Sequence, residues 1–198
     1  MRQTCVCVNR ILVHEKVYDE FSENLTNAVT ALKVGDGMLA DVNIGPMINI
    51  DAIEKTKEFV SDAVSKGGKI LTGGKPINQY FFEPTVIGNA SLDMSFSDDE
   101  IFGPLAPLYK FTSDEEAIEI ANDTIYGLAS YFYSENVSRC WRVAEALEYG
   151  MVGINEGLVS TEVAPFGGVK FSGQGREGSK YGIQDYLEIK YMCFGNII

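Results

Sequence analysis

Leu105-Ala106-Pro107-Leu108-Tyr109-Lys110-Phe111 runs, one residue later, into Ser113-Asp114-Glu115-Glu116, and this junction decides the fold class. The seven-residue run reads as a strand. The Ser-x-x-Glu spacing is a capping box, which predicts a helix through Ala117, Ile118, Ile120 and Ala121. Residues 128–133 read as a further strand. Residues 136–149 read as a helix with Trp141, Val143, Ala144 and Leu147 at apolar positions. Met151-Val152-Gly153-Ile154-Asn155 has the composition of a buried strand. Strand and helix alternate, so the chain is expected to be α/β with a mostly parallel sheet and flanking helices.

Upstream the same alternation holds. Residues 6–14 read as a strand centred on Ile11, Leu12 and Val13. Residues 18–32 read as a helix with Phe21, Leu25, Ala28, Val29 and Leu32 on its inner face, stopped by Gly35 and Gly37. A second amphipathic helix is expected over 52–64, with Ile53, Phe59, Val60 and Val64 inward and Glu54, Lys55, Lys57 and Asp62 outward. Residues 69–72 form a short strand before Gly73-Gly74. The run at 80–87 is strand-like, with Pro84 marking an edge position or a break. An acidic loop at 91–104 closes on Glu100-Ile101-Phe102-Gly103-Pro104. Downstream, 165–182 is dense in glycine yet carries Phe166, Lys170 and Arg176, which reads as a functional loop. It contains no clean G-x-G-x-x-G between a strand and a helix, so it is not read as a nucleotide site. Tyr186 to Met192 alternates apolar and charged residues, the period of a half-buried strand.

The 198 residues suit one domain or could stretch to two small ones and, at 45% hydrophobic, can fill a core. A net charge of -12 argues against nucleic acid as a partner. No apolar run approaches the ~18 residues of a membrane span, so no membrane partner is expected. The start shows no signal-peptide pattern. Four cysteines and one histidine make neither a disulfide scaffold nor a zinc pattern, and no metal is expected. The cysteines suit a reducing compartment, cytoplasm or mitochondrial matrix. Two of them stand in Gln3-Thr4-Cys5-Val6-Cys7-Val8-Asn9-Arg10. Taken alone, a cysteine there is either a nucleophile at the mouth of a strand or a small core hydrophobe.

Three separated motifs bear on that choice. Gln-Thr-Cys stands at 3–5, Glu-Ile-Phe-Gly-Pro at 100–104 and Pro-Phe-Gly-Gly-x-Lys-x-Ser-Gly at 165–173. Together, and in this order, they resemble the NAD(P)-dependent aldehyde dehydrogenase superfamily. Cys5-Val6-Cys7, Phe81-Phe82-Glu83-Pro84-Thr85, the stretch 150–157 and the stretch 175–182 resemble the succinate-semialdehyde dehydrogenases within it.

The resemblance implies the chemistry. Cys5 would be the catalytic nucleophile, passing from a thiohemiacetal to a thioester that water hydrolyses. Its backbone N–H would help hold the oxyanion. Glu100 would hold the nicotinamide ribose hydroxyls of NAD or NADP, and Phe102 would pack near the nicotinamide. Ser160 would contact the distal carboxylate of the substrate, and Phe166 would line the substrate tunnel. Cys5 and Cys7 would form a redox switch. In a regular strand residues i and i+2 lie about 6.5–7 Å apart, at or beyond the usual disulfide span, so that pairing requires the backbone to bend.

Residues 1–182 would be the catalytic domain and 183–198 an oligomerisation tail, its strand at 186–193 joining a neighbouring subunit in a homo-oligomer. The family's nucleotide-binding domain, its water-activating Glu, its oxyanion Asn and the semialdehyde enzymes' substrate Arg would all precede residue 1. Arg2 stands where the family has Gly. The expected activity is oxidation of an aldehyde, succinate semialdehyde foremost, with this portion inactive alone. The alternative is a non-catalytic chain that associates with itself or with full-length subunits.

Overall fold

The computed structural model describes residues 3–196, so Arg2 lies outside the described residues. The chain divides into two compact units, the first ending at Thr124 and the second starting at Ile125. The 182/183 boundary between catalytic domain and tail is of another kind and remains a proposal.

The first unit holds β1 (Ile11–His14), α1 (Tyr18–Thr30), α2 (Ile50–Ser65), β2 (Lys69–Thr72), β3 (Thr85–Gly88), β4 (Leu105–Phe111) and α3 (Asp114–Asn122). Its sheet has the order β1-β4-β3-β2. The β1–β4 and β3–β4 pairs are parallel and β2–β3 is antiparallel. Successive strand residues face opposite sides of a sheet, so each face gathers its own cluster. Ile87, Leu105 and Tyr109 pack with Ile53, Phe59, Val60 and Ala63 of α2. Val86 and Leu108 pack on the other face with Val13 and Tyr18.

Helix α1 starts at Tyr18 as expected and α2 starts two residues early, at Ile50. Leu25 and Val29 pack against the core as expected, but the buried stripes otherwise differ. Tyr18 and Ser22 are buried in α1, while Phe21 and Leu32 are exposed. In α2 the buried stripe is Ile53, Thr56, Phe59, Val60 and Ala63, with Val64 outside it. Ser113 caps α3, accepting from the Glu116 N–H at 3.2 Å. The Glu116 carboxylate reaches one residue further back than a capping box requires. It accepts from the Thr112 N–H at 2.7 Å and hydroxyl at 2.6 Å, and these bonds hold its carboxyl below the usual range.

Two strands are shorter than expected. The run at 6–14 is a strand only over β1, because residues 4–7 form a turn closed by the Cys7 N–H on the Thr4 carbonyl at 3.0 Å. The run at 80–87 becomes β3, which starts after Pro84.

The other end of α3 is held from a distance. Arg10 Nη1 donates to the carbonyls of Ile120 at 2.8 Å and Asp123 at 3.1 Å, and Nη2 to that of Ala121 at 2.9 Å. A guanidinium there satisfies orphan carbonyls and opposes the negative end of the helix dipole. Arg10→Ala is expected to lower stability by about 1–3 kcal/mol. Chemical denaturation checks this as a lower midpoint at constant slope.

The second unit holds β5 (Ala129–Phe132), α4 (Val137–Ala146) and β6 (Met151–Ile154). β5 and β6 pair in parallel. Asn136 caps α4, its Oδ1 accepting from the Arg139 N–H at 2.9 Å. The glycine-dense segment folds back on itself. Phe166 and Glu177 exchange N–H···O bonds of 2.9 and 2.7 Å, and Arg176 Nη1 donates to the Gly168 carbonyl at 2.8 Å. The strand expected at 186–193 is absent. Gly182–Tyr186 is a short 3-10 helix and 187–196 carry no regular structure. An alternating sequence becomes a strand only when another strand supplies a ladder, and the described residues offer none here.

Candidate active site

Cys5 is exposed and Cys7 half-buried on the turn of residues 4–7, and both thiols are free. No described residue before Val13 is buried. The hydrophobic core therefore does not place this turn, and polar ties do. On one side Gln3 Oε1 accepts from the Ile48 N–H at 3.1 Å. On the other, Asn9 Oδ1 accepts from the Ile101 N–H at 3.3 Å. The second tie joins the cysteine segment to the loop that carries Glu100 and Phe102.

That loop is tightly specified. Ile101 is buried at its centre. Lys55 Nζ of α2 donates to the Glu100 carbonyl at 2.9 Å and pairs with Asp99 at 3.0 Å. Glu100 is half-buried, and its N–H donates to Asp99 Oδ1 at 2.9 Å. Phe102 has φ of +41° and keeps its ring partly exposed.

Further back, Asp62 of α2 accepts from the Ser95 N–H at 2.7 Å and pairs with Lys66 at 2.8 Å. The bond from Lys66, with that of Ser95, holds the Asp62 carboxyl below its ordinary value. Beneath the loop, burial pushes the Tyr109 phenol up to about 12, against the opposing pull of Ser97, whose hydroxyl lies 2.7 Å away.

Cys5, Cys7, Glu100 and Phe102 belong to the first unit; Ser160 and Phe166 belong to the second. Ser160 is exposed, and Phe166 is half-buried in the pair it makes with Glu177. Sequence reading placed Gln3 in a motif and Lys55 on an outer helix face, and gave neither of them, nor Asn9, a positioning contact. Their partners are backbone groups distant in sequence, and no motif announces such a contact. Among the described residues no group of three His, Cys, Asp or Glu could hold a metal ion.

A turn presenting a thiol, tied to a loop with a carboxylate and an exposed aromatic, suits covalent chemistry beside a bound cofactor. Residues 1–192 match the model of the aldehyde dehydrogenase family, and the chain belongs to that family. Two relatives and one solved structure narrow the comparison. The chain is 59% identical to the mitochondrial succinate-semialdehyde dehydrogenase of Arabidopsis thaliana, over 98% of this chain and 37% of that protein. It is 58% identical to a glutarate-semialdehyde dehydrogenase of Pseudomonas putida, over 96% of this chain and 40% of that protein. Its fold matches a succinate-semialdehyde dehydrogenase structure from Burkholderia pseudomallei with a TM-score of 0.94 and 57% identity, covering 97% of this chain and 40% of that one. The chain thus spans about two fifths of the length of the relatives it matches.

Proposed function

We propose that this chain carries the nucleophile and the nicotinamide-side contacts of an NAD- or NADP-dependent aldehyde dehydrogenase. The favoured substrate is succinate semialdehyde. The observation that carries this reading is the Asn9–Ile101 hydrogen bond, which ties the Cys5 segment to the loop of Glu100 and Phe102. Glu100 offers a carboxylate suited to ribose hydroxyls, and Phe102 a partly exposed ring suited to a flat heterocycle.

The rest of a dinucleotide has no cradle in the glycine-dense segment. A Cβ on Gly150 would meet the Gly167 carbonyl oxygen at 2.0 Å, and one on Gly167 the Gly175 carbonyl oxygen at 2.6 Å. Those glycines serve close backbone approach, not a phosphate.

In the proposed reaction the Cys5 thiolate adds to the aldehyde carbon and forms a thiohemiacetal. The Cys5 N–H is the donor this chain offers to the oxygen that gains charge. Bound NAD or NADP supplies the hydride acceptor. Cys5 then carries a thioester, which water cleaves to the carboxylic acid and the free thiol. The two relatives named for semialdehydes act on aldehydes that end in a carboxylate. Ser160 is assigned to that carboxylate through its hydroxyl, and Phe166 to the apolar wall of the tunnel.

The 198-residue chain, given succinate semialdehyde and NAD or NADP, is expected to form negligible NADH or NADPH. Fused behind the upstream portion of a similar enzyme, it is expected to turn over succinate semialdehyde faster than propanal. An inactive fusion, or one that prefers propanal, would overturn the reading.

Cys5 and Cys7 are proposed to act as a redox switch; in support, residues 4–7 form a turn, so the spacing of a regular strand does not apply to them. Peroxide takes up the two thiol hydrogens as water and leaves a disulfide. Mild oxidation should remove two hydrogens from the intact mass and shield Cys5 from alkylation until a thiol reductant is added. An unchanged mass would sink the switch.

The second reading, association, rests on the tail, where Ile189, Tyr191 and Phe194 are 99%, 86% and 72% exposed. Pairing with the sheet of another copy would cover them. Size-exclusion chromatography of Ile189→Pro should then show a smaller species than the parent chain; equal sizes would count against it. The proposed location is the cytoplasm or the mitochondrial matrix, the latter matching the name of the Arabidopsis relative. Among the described residues no helix is long and apolar enough to cross a membrane.

A further inference from the structure

The peptide unit that joins Glu100 to Ile101 is gripped at both ends. Its carbonyl accepts from Lys55 Nζ at 2.9 Å, and its N–H donates to Asn9 Oδ1 at 3.3 Å. Neither grip is loose. Lys55 also pairs with Asp99, and its Nζ lies 5.2 Å from the centroid of the Phe59 ring. Asn9 precedes Arg10, whose three bonds to the end of α3 anchor the backbone beside it.

The next residue but one explains why a peptide plane needs this much control. Phe102 sits at φ of +41°, a conformation that a bulky L residue keeps only when its surroundings impose it. On the near side the buried Ile101 side chain anchors the loop. On the far side a Cβ at Gly103 would stand 2.8 Å from Thr56 Oγ1, so the backbone there already lies close against α2. With the 100–101 plane held, rotation about it is blocked, and the Glu100 carboxylate and the Phe102 ring keep their places.

We propose that Asn9 is a positioning residue. It holds the Glu100–Ile101 peptide plane, with Lys55 as the second grip, and so keeps Glu100 and Phe102 in register with the Cys5 turn. The inference rests on the reading of Cys5 as nucleophile and Glu100 as ribose ligand. It adds that the two loops are set by one side chain and move together. A general structural role would make Asn9 replaceable by any residue of similar size. The clamp demands an oxygen acceptor at Oδ1.

The test uses the full 198-residue chain. Amide exchange is followed by NMR at Ile101 and Phe102, with Ile87 and Leu108 as core controls. Nicotinamide mononucleotide serves as the probe, since it carries the ribose hydroxyls and the nicotinamide. Asn9→Leu is expected to speed exchange at Ile101 about tenfold, with the core amides unchanged. It should also weaken the probe-induced shifts at Glu100 to Phe102. Asn9→Asp keeps the acceptor and is expected to stay within about threefold of the parent in exchange and to retain the shifts. Lys55→Met should loosen the same peptide from its carbonyl side, and it carries the test if Asn9→Leu does not fold. Unchanged Ile101 exchange in Asn9→Leu and Lys55→Met overturns the proposal, as does an Asn9→Asp variant that behaves like Asn9→Leu. A probe that shifts no amide in the parent chain, with the exchange pattern as expected, overturns the cofactor reading of Glu100 and leaves the clamp supported.

Discussion

Cys5→Ser is expected to abolish acylation of this chain by an activated ester, with a loss of at least about a thousandfold. The reason is the ionisation of the nucleophile. A thiol supplies some thiolate near neutrality, and thiolate is strongly nucleophilic. A serine hydroxyl does not ionise there and needs a base beside it. The single histidine cannot be that base as placed. His14 ends β1, its Nδ1 accepts from the Lys16 N–H at 3.2 Å and its ring stacks edge-on with Phe111 at 5.3 Å. Cys5 is exposed on a turn, so serine fits there without strain and the loss reports chemistry, not unfolding. The measurement is p-nitrophenol release from p-nitrophenyl acetate, together with the mass of the trapped acyl-protein. Cys7→Ser should stay close to the parent rate. Equal acylation in Cys5→Ser, or its loss in Cys7→Ser, would transfer the nucleophile elsewhere. In the fusion that restores aldehyde oxidation, Cys5→Ser should remove NADH formation as well.

Gly150→Ala is expected to destabilise the second unit by about 3 kcal/mol or more. The added Cβ would lie 2.0 Å from the Gly167 carbonyl oxygen and 2.9 Å from the Gly167 carbonyl carbon and the Gly168 Cα. These are backbone atoms, so no side-chain rotation relieves the clash. The 166–169 segment would have to withdraw, although it is fastened by the Phe166–Glu177 pair and by Arg176. Gly150 cannot withdraw instead without losing its own N–H bond to the Gly127 carbonyl at 2.9 Å, next to the start of β6. Met151 is the one buried large apolar side chain among the described residues of this unit, so little packing is available to absorb the change. Trp141, the only tryptophan, lies on α4 and reports this unit by fluorescence during denaturation. Gly45→Ala is the control, because its Cβ meets nothing within 4 Å. A Gly150→Ala midpoint equal to that of the control would refute the close-approach account.

The helices were legible in the sequence because their signals are local. Ser113 and the apolar spacing of 53, 59 and 60 act within a few residues, and α2 and α3 follow them closely. The strands were less so. Val6 and Val8 have strand-forming side chains, yet the chain turns there, because no neighbouring strand pairs with it. The tail at 187–196 repeats the lesson with a better alternation and the same missing partner. In α1, spacing alone put Phe21 inward, whereas Tyr18 is the residue that packs with Val86 of β3 and Leu108 of β4, and Ser22 is buried one turn on.

The candidate site divides in the same way. The residue types that make a nucleophile, a ribose ligand and an aromatic wall are properties of the side chains, and the motifs at 3–5, 100–104 and 165–173 display them in the primary structure. The alternation of strand-like and helical stretches likewise suffices for the α/β class. The placement of those residues is decided elsewhere, through Asn9 and Ile101, which are 92 positions apart, and Lys55 and Glu100, which are 45 apart. A hydrogen bond to a backbone amide leaves no trace in residue identity, since every residue but proline carries that amide. The glycines at 150 and 167 carry the same ambiguity, because a bare Cα suits a ligand or another backbone equally well. Only the folded chain, which brings the Gly167 carbonyl over Gly150, shows that here it is the backbone.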